Sequence, residues 1–457
     1  MSVSPARAAA FDALLRVERD AAFATDALDS QLARVAKRAD AALATELVMG
    51  VLRWRRLLDF LIERVAERSA GSLDLEVLLS LRLGLYQLRF LSRVPEPAAV
   101  NESVELAKRA RKRSAAGLVN AALRRAARDP NLKGPLEAAL PADLGAAERL
   151  GILGSHPTWL VERWLARYGE QDARALIECG NRPARLCAGV LDAGDVDATV
   201  ASLAEDGFEA APAGWLAAAI ELRGVPQGGV GGARALREGR ILIQDEASQM
   251  VPLLLDVRPG QRVLDACAAP GGKTARLARQ AGQGIVVAGD VHQHRLREMR
   301  AFLGRLGAGN VHAVALDGTA PLPFDTQFER VLLDAPCSGT GTLARNPEIR
   351  WRLGVEDVAA LGGKQKALLT RALAHLAPGG RLVYSTCSLE PEENEEVVAH
   401  ALAACAGARV VSAQSALAPH LRAGVESHGF FDGLGFFRAL PWLHGTDGFF
   451  AAAIERS

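Results

Sequence analysis

Apolar positions from residue 5 to residue 128 recur at i, i+3, i+4 and i+7, as in LATELVMGVLRWRRLLDFLIERV (residues 43–65), with few glycines and no apolar–polar alternation. That period predicts amphipathic helices packed as an all-α bundle over residues 1–130. Residues 131–155 hold Pro135, Pro141, Gly134 and Gly145 and read as a linker. Helix resumes at HPTWLVERWLARYGE (156–170). Residues 156–242 then mix a helix near 196–206 with short strands in LCAGVLD, AAIELRG and GRILIQD, which predicts a small α+β subdomain. From residue 243 to 457 the rhythm changes again. Buried apolar strands in RVLDACA, GIVVAGD, VHAVALD, RVLLDAP and RLVYSTC alternate with helical stretches, and DGFFAAAIER closes the chain as a further strand. Strand and helix in alternation give a mostly parallel, doubly wound, Rossmann-like α/β sheet, whose ligands bind beyond the carboxyl ends of the strands.

Composition narrows the class. The chain has 457 residues, 49% apolar and 23% charged, enough to bury several cores. No run approaches the 18 uncharged apolar residues of a spanning helix, and the N-terminus carries charges inside its apolar pattern, so neither a membrane protein nor a signal peptide is expected. The six cysteines form no CxxC pair or cluster, which excludes a disulfide framework or zinc site and suits a reduced, cytoplasmic protein with no metal. A formal charge of +1 rules out a uniformly basic coat, but residues 1–130 hold 22 Lys and Arg against 16 Asp and Glu, a local surplus of 6.

VLDACAAPGGKT (263–274) runs a strand through a tight turn into a helix. Gly271 and Gly272 let a ligand approach the backbone, and the helix start offers free N–H groups to an anion. A phosphate-binding P-loop would need glycine where Cys267 stands, and GxGxxG is absent, so neither an ATPase nor a dinucleotide enzyme fits. Three successive strands end in Asp265, Asp290 and Asp317, and Asp290 lies 19 residues after Gly271, close to the offset of a ribose-binding acid. A cofactor with a ribose, an adenine-like donor group and a carboxylate, but no phosphate, meets these demands; S-adenosylmethionine does so.

Two further strands run into polar turns that each carry a cysteine, LLDAPCSGTG with Cys337 and YSTCSLEPEEN with Cys387. A thiolate beside a methyl donor suits methylation of pyrimidine C5, a carbon too electron-poor to take a methyl unaided. Addition of the thiolate to C6 makes C5 enamine-like, Asp334 assists at the N3/N4 edge, and loss of the C5 proton frees the thiol. The base must leave its stack to enter such a pocket. Chemistry alone leaves the attacking thiol open between Cys337 and Cys387.

The combination DACAAPGGKT, LLDAPCSGTG and YSTCSLEPEEN resembles the RNA 5-methylcytosine methyltransferases. The resemblance implies that Cys387 is the nucleophile, that Cys337 acts in product release, and that Cys267, Ala268, Ala269, Pro270, Gly271, Gly272, Lys273, Asp290, Asp317 and Asp334 hold S-adenosylmethionine. QDEAS (244–248) and ARNPEIRWR (344–352) match further family features. LRLGLYQLRFL and the segment at 94–128 look like the helical RNA-binding domain of NusB. That fusion implies 16S ribosomal RNA as substrate, with the chain acting as a monomer. No role is transferred to the Gly-, Phe- and His-rich residues 424–445.

KRARKR places five cations in six residues, Lys108, Arg109, Arg111, Lys112 and Arg113. A charge run is usually a solvated face, but within a NusB-like segment it is expected to contact phosphates. Arg345 and Arg350 flank the catalytic sheet and are expected to hold RNA near the pocket; Trp351 suits base stacking or packing equally. His156 and His294 show no convergent partners. The competing reading is an RNA-binding factor with a degenerate fold, against which stand the complete glycine loop, Asp334 and both thiols.

Overall fold

A computed structural model describes residues 3–130, 134–226 and 229–457, without the side chains of Ala138, Ala193 and His428. Residues 131–133 of the expected linker lie outside the described residues. The chain divides into two compact units, one comprising Met1–Pro183 and Leu343–Arg352, the other Ala184–Thr342 and Leu353–Ser457.

The first unit is helical. Its central helix, Leu75–Phe90, is buried without a break from Val77 to Gln87, as expected of a helix that is apolar on every side. Around it pack Pro5–Arg19, Arg38–Arg53, Arg55–Ala66, Glu96–Arg109 and Ala116–Arg128, each with one buried face. Arg82, buried on the central helix, is neutralised by Asp59 through two bonds of 2.7 and 2.8 Å and by Glu18 at 3.2 Å. Beyond the expected linker, in which Ala146–Leu153 is helical, the unit ends with the helix Thr158–Asn181.

Leu343–Arg352, which contains the whole ARNPEIRWR motif, packs in this helical unit although it follows the Cys337 turn directly in sequence. Arg350 is 0% exposed and its guanidinium donates to the carbonyls of Ser155, Gly180 and Leu343 and to Asn181 Oδ1. This corrects the expectation that Arg350 contacts RNA: the group is fully buried and both its terminal nitrogens are spent on buried acceptors. Trp351 Nε1 donates to the Leu52 carbonyl at 2.6 Å and Arg352 to those of Val17 and Ala22, so the tryptophan is a packed one. Burial and the nearby Arg350 hold His156 well below the usual histidine range, a neutral ring in the core.

The second unit holds two sheets. The smaller has order β2-β3-β1-β4, all antiparallel, from β1 (Cys187–Val190), β2 (Glu209–Pro212), β3 (Ala219–Gly224) and β4 (Ile241–Ile243), with the helix Val196–Glu205 on one face. β4 leads into the short helix Glu246–Met250, started by Asp245, whose side chain accepts from Ala247 N. Glu246, fully buried, accepts from the backbone N–H groups of Gly214, Trp215 and Leu216. Trp215 in turn packs edge-on to Phe430 and His444, which gives residues 424–445 a place in the core.

The larger sheet contains β5 (Arg262–Asp265), β6 (Ile285–Asp290), β7 (Val311–Ala315), β8 (Phe328–Asp334), β9 (Leu376–Thr386), β10 (Ala408–Val411), β11 (Phe437–Ala439) and β12 (Phe449–Arg456). Their order is β10-β12-β9-β8-β5-β6-β7, with β11 on β12; β7 to β9 are parallel throughout and β12 runs against β9. Alternate residues feed two cores: Val263, Leu332 and Val383 on one face, Leu264, Val331, Leu333 and Leu382 on the other. The chain proceeds outward from β5 to β7 and then returns to β8 on the opposite side of β5. The switch point between β5 and β8 is where a doubly wound sheet opens its crevice.

Candidate active site

Both chemistry-bearing turns leave adjacent parallel strands at this crevice. β8 and β9 pair with Asp334 opposite Ser385, so the turn after each strand begins at the same level. Cys337 lies three residues beyond its strand partner and Cys387 two, and the register brings Cys337 Sγ and Cys387 Sγ to 3.3 Å. The turns are locked by backbone bonds: Gly341 N donates to Cys387 O at 2.9 Å and Gly448 N to Gly341 O at 2.7 Å. A Cβ on Gly341 would stand 2.3 Å from the Gly448 carbonyl oxygen, so only glycine fits there.

The thiols are not equivalent. The hydrogen bond with Cys387, burial, and the charges of Cys387 and Glu393 push the Cys337 thiol well above the ordinary range. Cys337 therefore keeps its proton and is the donor of the pair when Cys387 is a thiolate. Cys267, in the glycine loop, is pushed up to about 12 by burial and by Asp265, Asp334 and Asp290; it is an inert thiol.

Asp334 is held from two sides, by Lys273 Nζ at 2.7 Å on Oδ2 and Ser385 Oγ at 2.7 Å on Oδ1. The Lys273 ammonium also stands 5.3 Å from the centre of the Phe449 ring, which fixes it in the crevice. Asp265, 1% exposed, accepts from Thr274 Oγ1 at 2.7 Å through Oδ2 and is stabilised by the nearby Cys267 backbone N–H, while Oδ1 is buried without a hydrogen bond among the described residues. Burial, reinforced by the Asp334 charge, raises this carboxyl from 3.8 to about 7. Gly271 has φ +106°, a left-handed turn that delivers the chain into the helix Gly272–Ala281. A Cβ there would meet Met299 Cγ at 2.7 Å.

A cleft of about 670 Å³ is lined by Asp265, residues 267–270, Gly272, Lys273 and Asp334, with Leu242, Ile243 and Gln244 of the small subdomain and Phe302 opposite. Asp290 ends the next strand outward and Asp317 lies two residues beyond the end of β7; neither is among its walls. Asp290 accepts from His292 N at 2.9 Å and pairs with Arg295 at 3.4 Å; Arg295 also donates to Ala269 O, tying the glycine loop to this carboxylate. Asp317 is exposed and held below its ordinary range by the Thr319 hydroxyl and N–H.

Two groups escape the sequence reading, Arg295 on a charged helix and Glu393 in the acidic run EPEEN, and neither carries a signal there. Asp265 reads in sequence as a strand-ending acid but is not assigned to the cofactor. Among the basic candidates, Lys108 pairs with Glu105, Arg109 with Asp12 through both nitrogens and Lys112 with Asp74, whereas Arg111 and Arg113 are exposed and make no ion pair among the described residues. Arg345 is half-buried in the helical unit.

Residues 252–455 match the 16S rRNA methyltransferase RsmB/F family, residues 4–128 the NusB family, and residues 156–226 the ferredoxin-like domain of RsmF/B-like methyltransferases. Of solved structures, PH0851 superposes with a TM-score of 0.82 at 25% identity, all of both chains being covered. A methyltransferase homologue from Pyrococcus horikoshii gives 0.57 at 31% identity, covering 69% of this chain and 100% of that one. Fold and site thus define an S-adenosylmethionine-dependent methyltransferase with a doubly wound catalytic sheet. The chain is 36% identical over 440 residues to ribosomal RNA small subunit methyltransferase B of Pseudomonas putida, covering 93% of this chain and 96% of that protein. It is 30% identical over 462 residues to the probable ribosomal RNA small subunit methyltransferase B of Bacillus subtilis, covering all of both. It belongs to the ribosomal RNA small subunit methyltransferase B family. Among the described residues no helix is long and apolar enough to cross a membrane, and no cluster of metal-binding side chains occurs.

Proposed function

We propose that this enzyme methylates C5 of a cytosine in 16S ribosomal RNA through a covalent bond between Cys387 and C6. The observation that carries the reading is the pair of thiols 3.3 Å apart at the ends of adjacent strands, one of them held protonated, beside a carboxylate fixed by Lys273.

The residues present fit the cofactor. The orphaned Oδ1 of buried Asp265 suits an α-ammonium, the start of the helix Gly272–Ala281 suits a carboxylate, and Asp290 and Asp317 suit the ribose hydroxyls and the adenine amino group. The left-handed turn at Gly271 leaves the loop 267–273 bare enough for close approach. S-adenosylmethionine, when bound, supplies an electrophilic methyl carbon.

Cys387 attacks C6 as the thiolate, forming the S–C6 bond and moving electron density to C5 and the N3 edge. Asp334, an acceptor fixed by Lys273 and Ser385, accepts a hydrogen bond from the N4 amino group and orients the flipped base. After C5 is methylated, its proton passes to solvent, the C5–C6 double bond reforms and the S–C6 bond breaks. Cys337, still a thiol, donates its hydrogen bond to the departing sulfur and stabilises it as the leaving group. Arg111 and Arg113, with Lys108, Arg109, Lys112 and Arg345, supply phosphate contacts; the existing exposed ion pairs are weak enough to exchange for phosphate.

Labelled methyl transfer to small-subunit RNA from cells lacking the enzyme, followed by bisulfite mapping, tests the reading. Label at one protected cytosine is expected; label on another base atom, or none, refutes it.

A further inference from the structure

The two thiols meet because one carboxylate holds both turns. Glu393, 0% exposed, accepts from Ser338 N at 2.8 Å and Gln365 Nε2 at 3.0 Å through Oε1. Its Oε2 accepts from Ser338 Oγ and from Ser388 Oγ. Ser338 follows Cys337 and Ser388 follows Cys387, and the two hydroxyls are themselves 3.1 Å apart. Glu393 is fixed in turn: its carbonyl accepts from Tyr384 OH on β9, and Asn394 beside it bonds Thr386 Oγ1 and Ser388 O. No Lys or Arg pairs with Glu393 among the described residues. A fully buried carboxylate with four donors and no counter-ion is expensive to keep, and a neutral hydrogen-bonding group would hold the turns as well. Its charge therefore calls for a reason.

We propose that Glu393 is a positioning residue that sets the spacing of Cys337 and Cys387 and, by its charge, keeps the shared proton on Cys337, so that Cys387 is the thiol left to attack. The groups facing Cys337 are Cys387 and Glu393 from the turn after β9, Tyr384 from β9, the Gly339 backbone N–H, which alone favours the thiolate, and the uncharged Gln365, which donates to Pro336 O. None of these is a cation, and Glu393 is one of the charges that hold the Cys337 proton on. The proposal rests on the two-thiol reading above for its purpose, but it makes a statement about the free protein.

The test needs no RNA. Alkylation by iodoacetamide is followed by mass spectrometry at Cys337 and Cys387 across pH, with S-adenosylmethionine affinity as the check that the fold persists. In wild type, Cys387 is expected to react first and Cys337 only at higher pH. Glu393→Gln keeps the shape and removes the charge, so the Cys337 midpoint is expected to fall by about one pH unit. An unchanged midpoint in a variant that still binds the cofactor overturns the proposal. Ser388→Ala removes one arm of the clamp and leaves the charge. It is expected to leave the Cys337 midpoint in place but weaken capture of phenylarsine oxide, which must bridge both thiols, about tenfold. If Glu393→Gln fails to bind cofactor, full arsenical affinity in Ser388→Ala overturns the proposal by itself. Methyl transfer to a position other than C5 would refute the two-thiol chemistry and leave these thiol measurements standing.

Discussion

Replacing Asp265 by asparagine is expected to stabilise the catalytic unit and weaken cofactor binding at once. Asp265 is fully buried at the end of β5, with one oxygen on Thr274 and the other without a hydrogen bond among the described residues, and its pKa is raised from 3.8 to about 7. A carboxyl that binds protons more tightly folded than unfolded favours the fold fully below pH ~4. That stability is lost as pH rises, and above about pH 7 the penalty is constant. At 1.36 kcal/mol per unit the whole shift amounts to about 4 kcal/mol, of which roughly half develops between pH 5.5 and 8.5. Asparagine keeps a carbonyl oxygen for Thr274 and has no charge to bury. Its advantage in urea unfolding is therefore expected to widen by about 2 kcal/mol between those two pH values. Hydrogen exchange resolved on peptides from β5 separates this transition from that of the helical unit. Cofactor affinity, measured by calorimetry, is expected to fall ten- to a hundredfold because a charged partner of the ammonium group is gone. A variant whose stability gain is the same at both pH values, or negative at pH 8.5, refutes the claim that Asp265 is a buried charge reserved for a ligand.

Asp290→Ala is expected to weaken S-adenosylmethionine binding by about ten- to a hundredfold, since it removes the acid that Arg295 and His292 N orient; unchanged calorimetric affinity removes Asp290 from the site. Neutralising Arg111 and Arg113, the two exposed cations of the cluster that make no ion pair among the described residues, is expected to flatten the salt dependence of RNA binding by about two units of slope at most. Neutralising Lys108 and Lys112, which must first leave Glu105 and Asp74, is expected to change it less; equal effects would mean the pairing does not matter.

The sheet was legible because its strands are apolar and most end in or next to acids: β5, β6 and β7 fall inside the segments read from sequence, and β8 and β9 begin two and five residues ahead of theirs. β2, β10 and β11 escaped, each three or four residues long and at a sheet edge or in a loop-rich stretch, where no apolar run marks a strand. Sequence placed Cys337 and Cys387 on the same rim but could not bring them together. That depends on the pairing of Asp334 with Ser385 and on a carboxylate 55 residues beyond Ser338. Glu393 was invisible because EPEEN reads as a solvated acidic face. Arg350 misled for the same reason in reverse: charges in IRWR look exposed, yet helix-end carbonyls at Ser155 and Gly180 need a donor, and a buried guanidinium supplies it.

Trapping of the covalent complex tests the central claim most directly. Wild type, Cys387→Ala and Cys337→Ala are each incubated with S-adenosylmethionine and unmodified small-subunit RNA and run on denaturing gels. The account predicts no turnover and no adduct for Cys387→Ala, because no other group there makes C5 nucleophilic. It predicts that Cys337→Ala attacks and methylates but accumulates a protein–RNA adduct, since the hydrogen bond to the departing sulfur is lost. An adduct that builds up in Cys387→Ala and not in Cys337→Ala would contradict the assignment of the two thiols.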